Sequence, residues 1–508
     1  MPAGGLAPMS PEAAAAAGPS RRPGPCGAAA LVILAATALR VVLAASIGLS
    51  VDESYSVAIS RQLDWSYVDH PPLHVWIVGL SARALGSERA LVLRLPFVLL
   101  FAGSSALVFA LTRRLAGARA GFWAVLALSL TPLYTLAIGS WILPDGPLVC
   151  CALLTVWLTV RALDAPRSRA ALTWAAVGAS AGLTLLAKYL AVFPLAGLAV
   201  YLLGRDRRRV LATPGPWIAL AIALVAFVPV LTWNAAHGWI SFAFQGARAR
   251  PEGLSLARLA LDWSGQLAYL LPWTAAGLTW ALLSALRQGP RSPEWLFPCL
   301  AVAPVACFAV APLWMNVLPH WPAIGWLFAY PLLGAKLARW ELRHPRALTR
   351  GALAAAAACV LILAVAAGQS ATGFLGRLSP GFDARDPTVE MLDWHELRQA
   401  IATRRLLRPG MFIATVSWID AGKIDYALGG RVPVLCIGPR PHEFAYLHDA
   451  RELAGHDALI VADARRRDWL ALSAPHFAAT QPLAAASLTR GHAAVIRLAM
   501  AQGRSFKP

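Results

Sequence analysis

Apolar stretches of about twenty residues recur from Ala28 to about residue 370, and this repetition constrains the fold more than any single motif. A helix needs about twenty mostly apolar residues to cross the hydrocarbon layer of a bilayer. The spacing predicts spans over 28–50, 91–111, 118–138, 146–163, 214–233, 264–286, 295–313, 320–338 and 351–370. The stretch 172–203 is too long for one span and short for two. Basic residues resolve it, because they collect on the cytoplasmic side of a membrane. Arg167 and Arg169 precede the stretch, and Arg205, Arg207, Arg208 and Arg209 follow it. The chain must therefore cross twice, as two short helices meeting near Lys188-Tyr189, with Lys188 near the outer surface.

The remaining basic runs agree with this threading. Arg113, Arg114 and Arg119, then Arg287 and Arg291, then Lys336, Arg339, Arg343, Arg346 and Arg350 all fall in loops assigned to the inside. The result is about eleven spans, with the N-terminus inside and the C-terminus outside. The outer loops are 51–90, 139–145, the turn at 188, 234–263 and 314–319. Among 508 residues, 58% are hydrophobic and 14% charged, which excludes an ordinary soluble protein. The net charge of +19 follows the inside loops, so no nucleic-acid partner is expected. The seven cysteines give neither a disulfide framework nor a zinc spacing.

Three regions are expected. Residues 1–26, rich in Ala, Pro and Gly, form a disordered tail; Arg21-Arg22 does not read as a cleaved signal, because the apolar stretch after it is too long. Residues 27–372 form a mainly α transmembrane domain. Residues 373–508 form a small α/β domain on the outer face, with a helix over Trp394–Arg404. Its strands are expected at Met411–Trp418, Val432–Ile437, Ala458–Ala462 and Ala493–Leu498. No glycine loop that would cradle a phosphate follows these strands, so a structural or acceptor-contacting role is expected there.

Residues fit for chemistry concentrate in the outer loops. The first holds Asp52, Glu53, Tyr55, Asp64, Asp69, His70 and His74, and the second ends in Pro144-Asp145-Gly146-Pro147. Lys188 and Tyr189 sit at the hairpin tip. The fourth opens Trp233-Asn234-Ala235-Ala236-His237-Gly238-Trp239 and carries Arg248; Asn316, His320 and Trp321 complete the set. Each has an ordinary alternative: Asp145 as a helix cap, Lys188 as a snorkelling cation, Trp239, Trp321 and Tyr189 as interfacial aromatics, His237 and His320 as solvated loop residues. The adjacent acids Asp52 and Glu53 are harder to explain in this way, because both carry a desolvation cost.

The set suits transfer of a sugar from a lipid-linked phosphate. An acceptor hydroxyl needs a carboxylate to take its proton, and Asp52 or Glu53 is placed for that. The departing phosphate needs positive charge, for which Lys188, His70 (if protonated), Arg94 and Arg248 are candidates. Asp145 would stabilise oxocarbenium character at the sugar. Tyr55, Tyr189, His237, Trp239, His320 and Trp321 are expected to line the substrate site.

The ordered motifs carry a resemblance. Asp52-Glu53-Ser54-Tyr55, Asp69-His70-Pro71-Pro72-Leu73, Arg94-Leu95-Pro96, Pro144-Asp145-Gly146-Pro147-Leu148, Leu186-Ala187-Lys188-Tyr189, the Trp233–Trp239 stretch and Pro319-His320-Trp321-Pro322-Ala323 recur in that sequence. Over about 51–333 the chain resembles the bacterial branch of the dolichyl-phosphate-mannose protein mannosyltransferase superfamily. These are GT-C glycosyltransferases, and the group includes the lipid A aminoarabinose transferase. The resemblance implies a GT-C fold in a bacterial inner membrane, with the active site facing the periplasm. It implies inverting transfer from a polyprenyl-phosphate sugar to a glycolipid, lipopolysaccharide or protein acceptor, with no cofactor and no required metal. It places the base or site organiser at Asp52 and a second acid at Asp145. His70 stands where aminoarabinose transferases tend to have Lys, and His320 where many members have Asn; the first argues against aminoarabinose as the sugar. A secondary transporter or lipid flippase is the alternative from another class, but such proteins place ionisable residues near the midplane, often in internal repeats. A membrane scaffold is a third reading, and it leaves the acidic pair unexplained.

Overall fold

The computed structural model describes residues 24–204, 207–378, 382, 386–491 and 493–508. The expected disordered tail lies outside the described residues up to position 23, and its last two residues belong instead to the first helix. Longer helices are labelled in chain order: α1 Pro25–Ser46, α2 Val51–Ser60, α3 Leu73–Leu85, α4 Ala90–Ser129, α5 Asp145–Leu163, α6 Arg167–Ala187, α7 Val192–Leu203, α8 Gly215–Ala236, α9 Ile240–Arg248, α10 Leu256–Leu270, α11 Pro272–Gln288, α12 Leu296–Val310, α13 Tyr330–Glu341, α14 Pro345–Thr372, α15 His395–Thr403 and α16 Trp418–Leu428.

Helix falls on every apolar stretch the sequence marks out. Among the described residues, seven helices are long and apolar enough to cross a membrane, and the bent pair α10–α11 would make an eighth. The 40-residue α4 is two arms, because Ala116 and Gly117 leave helical geometry. The ring of Phe109 then packs on the backbone of Gly121, a contact that a straight helix cannot make over twelve residues. The hairpin expected over 91–138 is therefore present. The expected junction at Lys188 is present too: its backbone is extended, φ −162° and ψ 145°, between α6 and a short 3₁₀ turn that leads into α7.

Two expectations are corrected. The span placed at 264–286 bends by 96° at Leu271, so α10 runs off at an angle and α11 carries the apolar run. Leu271 at φ 67° precedes Pro272, which cannot donate the backbone hydrogen bond a continuous helix needs. The span placed at 320–338 is broken between Leu327 and Tyr330.

Much of the helical surface has no protein to cover it. In α14 only 11% of the most apolar window is buried, and Leu353, Val360, Leu361 and Val365 are exposed. Burying such surface in lipid is what stabilises it. The molecule is a multi-pass membrane protein.

After α14 the chain builds a five-stranded sheet in the order β2-β1-β3-β5-β4. The strands are β1 Phe412–Thr415, β2 Val434–Cys436, β3 Ala458–Asp463, β4 Phe477–Arg490 and β5 Ala493–Phe506. The first three are parallel and fully buried. The antiparallel β4–β5 hairpin completes the edge. The sequence reading missed β4, whose Ala-rich run with Pro482 and mostly unburied pattern has low strand propensity.

This domain is fused to the end of the bundle that carries α2. One apolar core joins Tyr55, Ile59 and Tyr67 to Trp394, Ile424 and Phe444. α16 lies directly on α2: a Cβ at Gly422 would sit 2.9 Å from the Cα of Tyr55. The buried Lys423 amine donates to the carbonyls of Leu49 (2.5 Å) and Leu392 (2.9 Å). A second clamp joins the end of α14 to β4, where Asp386 accepts from Gln369 (2.7 Å) and from Arg490 (2.6 Å). The helix carrying Asp52 is thus held between the bundle and the sheet domain.

Candidate functional site

Ser50 starts α2 with a capping box. Its hydroxyl accepts from the Glu53 N–H, and the Glu53 carboxylate accepts from the Ser50 N–H at 2.8 Å. Asp52 follows the cap by two residues. Neighbouring residues on a helix point about 100° apart, so Asp52 and Glu53 face different surroundings.

Glu53 faces inward and is fully buried. Arg94 donates to it twice, at 2.7 and 2.6 Å, and the Ile142 N–H donates at 3.0 Å. Arg94 also donates to the carbonyls of Ala44, Ile47 and Gly48. The guanidinium outweighs burial and holds the Glu53 carboxyl below its ordinary range. Every strong hydrogen-bonding direction of the pair is occupied. Glu53, expected as a catalytic acid, and Arg94, expected as a phosphate contact, form an ion pair that fixes the start of α2 against α1, α4 and the Ile142 turn.

Asp52 faces outward. Its carboxylate accepts no hydrogen bond among the described residues, and it remains exposed to water. Protein nevertheless surrounds it deeply enough for desolvation to dominate. Burial first, then the charges of Glu390, Asp69 and Glu53, push its pKa up to about 6. The N-terminal end of α2 would favour the anion; here burial and neighbouring acids win.

Two further acids of the cluster are paired. Asp145 opens α5 and accepts from the Lys188 amine at 2.7 Å, with both groups nearly buried. Asp69 accepts from the Tyr55 hydroxyl on one oxygen and lies 2.7 Å from His442 Nδ1 on the other. Gln245 donates to the Asp69 carbonyl at 2.6 Å. Arg248, at the end of α9, makes no ion pair among the described residues. Its guanidinium lies 4.9 Å from the Trp321 ring and 5.7 Å from Phe244, and its charge acts on Asp52 and Asp69.

Two histidines expected at the site are held by their surroundings. Burial, then the charges of His74 and Lys188, holds the His70 imidazole well below its ordinary value, which disfavours the cationic form a phosphate contact would use. His237 closes the end of α8, with Nδ1 2.8 Å from the Trp233 carbonyl and its ring stacked on Trp233 at 3.9 Å. It is packed rather than free. Trp239 is half exposed and tilts onto Phe242, facing outward. Tyr189 packs on the same Phe242 at 5.5 Å. His320 lies near Asp145, Lys188 and Arg248, next to Trp321.

Sequence reasoning did not single out Glu390, His442 or Glu443, and it assigned Asp69 no role. The signal for His442-Glu443 is position: they follow β2 in Gly438-Pro439-Arg440-Pro441, at the carboxyl end of a parallel strand, where α/β sheets place functional loops.

Acids and cations thus cluster at the end of the helical membrane bundle on which the small sheet domain docks. Residues 69–233 match the family described as dolichyl-phosphate-mannose-protein mannosyltransferase. The structure of ArnT from Cupriavidus metallidurans superposes with a TM-score of 0.65, at 18% identity over 94% of this chain and 98% of that one. The same values hold for its form bound to undecaprenyl phosphate. Lipid A galacturonosyltransferase RgtD from Rhizobium johnstonii is 23% identical over 324 residues, 63% of this chain; the match spans 66% of RgtD's own length. The chain has the GT-C fold of these structures, and its match to the mannosyltransferase family lies within residues 69–233.

Proposed function

We propose that this protein is an inverting glycosyltransferase of the bacterial inner membrane. It moves one sugar from a polyprenyl phosphate to a glycolipid of the lipid A type, at the periplasmic face. One observation carries the reading. Near the start of α2, the Asp52 carboxylate accepts no hydrogen bond and Arg248 makes no ion pair among the described residues, and each lies within the other's field. A base and a phosphate contact are the two charges that single-displacement transfer requires. The names of RgtD and of the undecaprenyl-phosphate-bound ArnT support the acceptor class and the carrier class.

In this reading Asp52 takes the proton of the acceptor hydroxyl as its oxygen bonds to the anomeric carbon. The bond from that carbon to the phosphate oxygen breaks, and the polyprenyl phosphate leaves with the electron pair. Arg248 stabilises the departing phosphate, assisted by the two Lys188 amine protons that do not face Asp145. Asp145, held by Lys188, adds negative charge near the developing oxocarbenium centre. Tyr55, His320 and Trp321 border the substrate. No covalent sugar–enzyme bond is needed, so configuration inverts. NMR of the isolated product reads this directly: a linkage opposite in anomeric configuration to the donor's is expected, and a retained configuration overturns single displacement.

The base also fixes a pH dependence. Asp52 must be ionised, so with its pKa at about 6 the reaction is supported above that value. Below pH 6, kcat/KM for the wild type should fall about tenfold per unit as the carboxylate protonates. A profile flat from pH 7 to 5 would remove Asp52 from this role.

A further inference from the structure

The loop after β2 reaches down from the sheet domain into the charged cluster. Gly438 begins it against the residue that follows β1: a Cβ there would lie 1.9 Å from the Val416 carbonyl oxygen. His442 has φ 54°, a left-handed conformation that side chains other than Gly seldom adopt. Residues held in such strain cluster at sites of function.

Its surroundings hold the ring rigidly. Trp418 lies over one face, with centroids 4.7 Å apart, and Phe244 meets it edge-on at 5.1 Å. Asp69 takes the Nδ1 side at 2.7 Å. The adjoining Glu443 is anchored as well: its carboxylate accepts from the Val68 N–H at 2.7 Å, and its own N–H donates to the Tyr55 hydroxyl at 3.1 Å. A carboxylate at Nδ1 fixes the proton there and leaves the Nε2 lone pair outward. Nε2 has no protein partner among the described residues, and it is not a buried atom. Asp69 in turn lies within the fields of Asp52 and Arg248.

We propose that His442, supplied by the C-terminal domain, contacts the acceptor: its Nε2 accepts a hydrogen bond from a hydroxyl of the acceptor sugar, in the orientation that Asp69 sets. The sheet domain is then part of the acceptor site, which deepens the transferase reading above and rests on it.

His442→Asn separates the two functions of the ring. Asn tolerates positive φ, and its amide reproduces the Nδ1–H donated to Asp69, but nothing replaces Nε2. Full-length protein is assayed with lipid A as the probe acceptor, for binding without donor and for transfer with it. Binding should weaken and the acceptor KM should rise by about tenfold, with donor KM and kcat held within about twofold. Gly438→Ala, which displaces the loop and leaves His442 intact, should shift the acceptor KM in the same direction. Wild-type binding and KM in His442→Asn, or a loss confined to kcat or to donor KM, overturns the contact. Failure of the wild type itself to bind or modify lipid A overturns the acceptor reading instead, and the His442 contact with it.

Discussion

Replacing Asp52 by Asn is expected to lower the rate of transfer by about 10²–10⁴-fold, with the protein still folded. The argument is one of position. The Asp52 carboxylate accepts no hydrogen bond among the described residues, and the one Asp52 accepts, from the Ser56 hydroxyl, is on its backbone carbonyl, so the substitution breaks no native hydrogen bond among them. Its pKa of about 6 lies close to working pH, where a base is both ionised and still able to hold a proton. The isosteric amide removes only the proton-accepting charge. Single-turnover transfer with purified variant and saturating donor measures the effect. Activity above about a tenth of wild type would assign the base elsewhere.

The second large effect is on folding. Arg94→Met should destabilise the protein by about 3–5 kcal/mol, because it leaves the Glu53 carboxylate buried with no counter-charge. It also removes the donors that hold the carbonyls of Ala44, Ile47 and Gly48. Pairing it with Glu53→Leu should restore part of the loss, since two apolar groups carry no unpaired charge. Thermal unfolding of the detergent-solubilised variants reads this. Wild-type Tm in Arg94→Met would contradict the structural part assigned to the pair and return Arg94 to the list of phosphate contacts.

Asp52 and Glu53 mark how far sequence alone could carry the site. The pair is conspicuous in the chain, and the outer-loop motifs locate it. Dividing the pair needed helical geometry: adjacent residues diverge, and Ser50 three positions before Glu53 is a capping-box spacing. That spacing was available in the sequence and points to Glu53 as the structural member. Arg94 as its partner was not available, since 41 residues separate them. The spans were legible because lipid imposes one length and one polarity on them. The break at Leu271 and the fold-back at Gly117 show as short interruptions, whose angle depends on packing. His442 was illegible for another reason: it lies 373 residues from Asp69, and only the docking of α16 on α2 brings them together.

The central claim is sugar transfer rather than movement of lipid. Proteoliposomes holding the purified protein, a polyprenyl-phosphate sugar and lipid A report on both at once, with mass spectrometry of each lipid. The account predicts that lipid A gains the mass of one sugar residue and that free polyprenyl phosphate appears in equal amount, in wild type and not in Asp52→Asn. Donor that crosses the bilayer intact, with lipid A unchanged in mass, would contradict it.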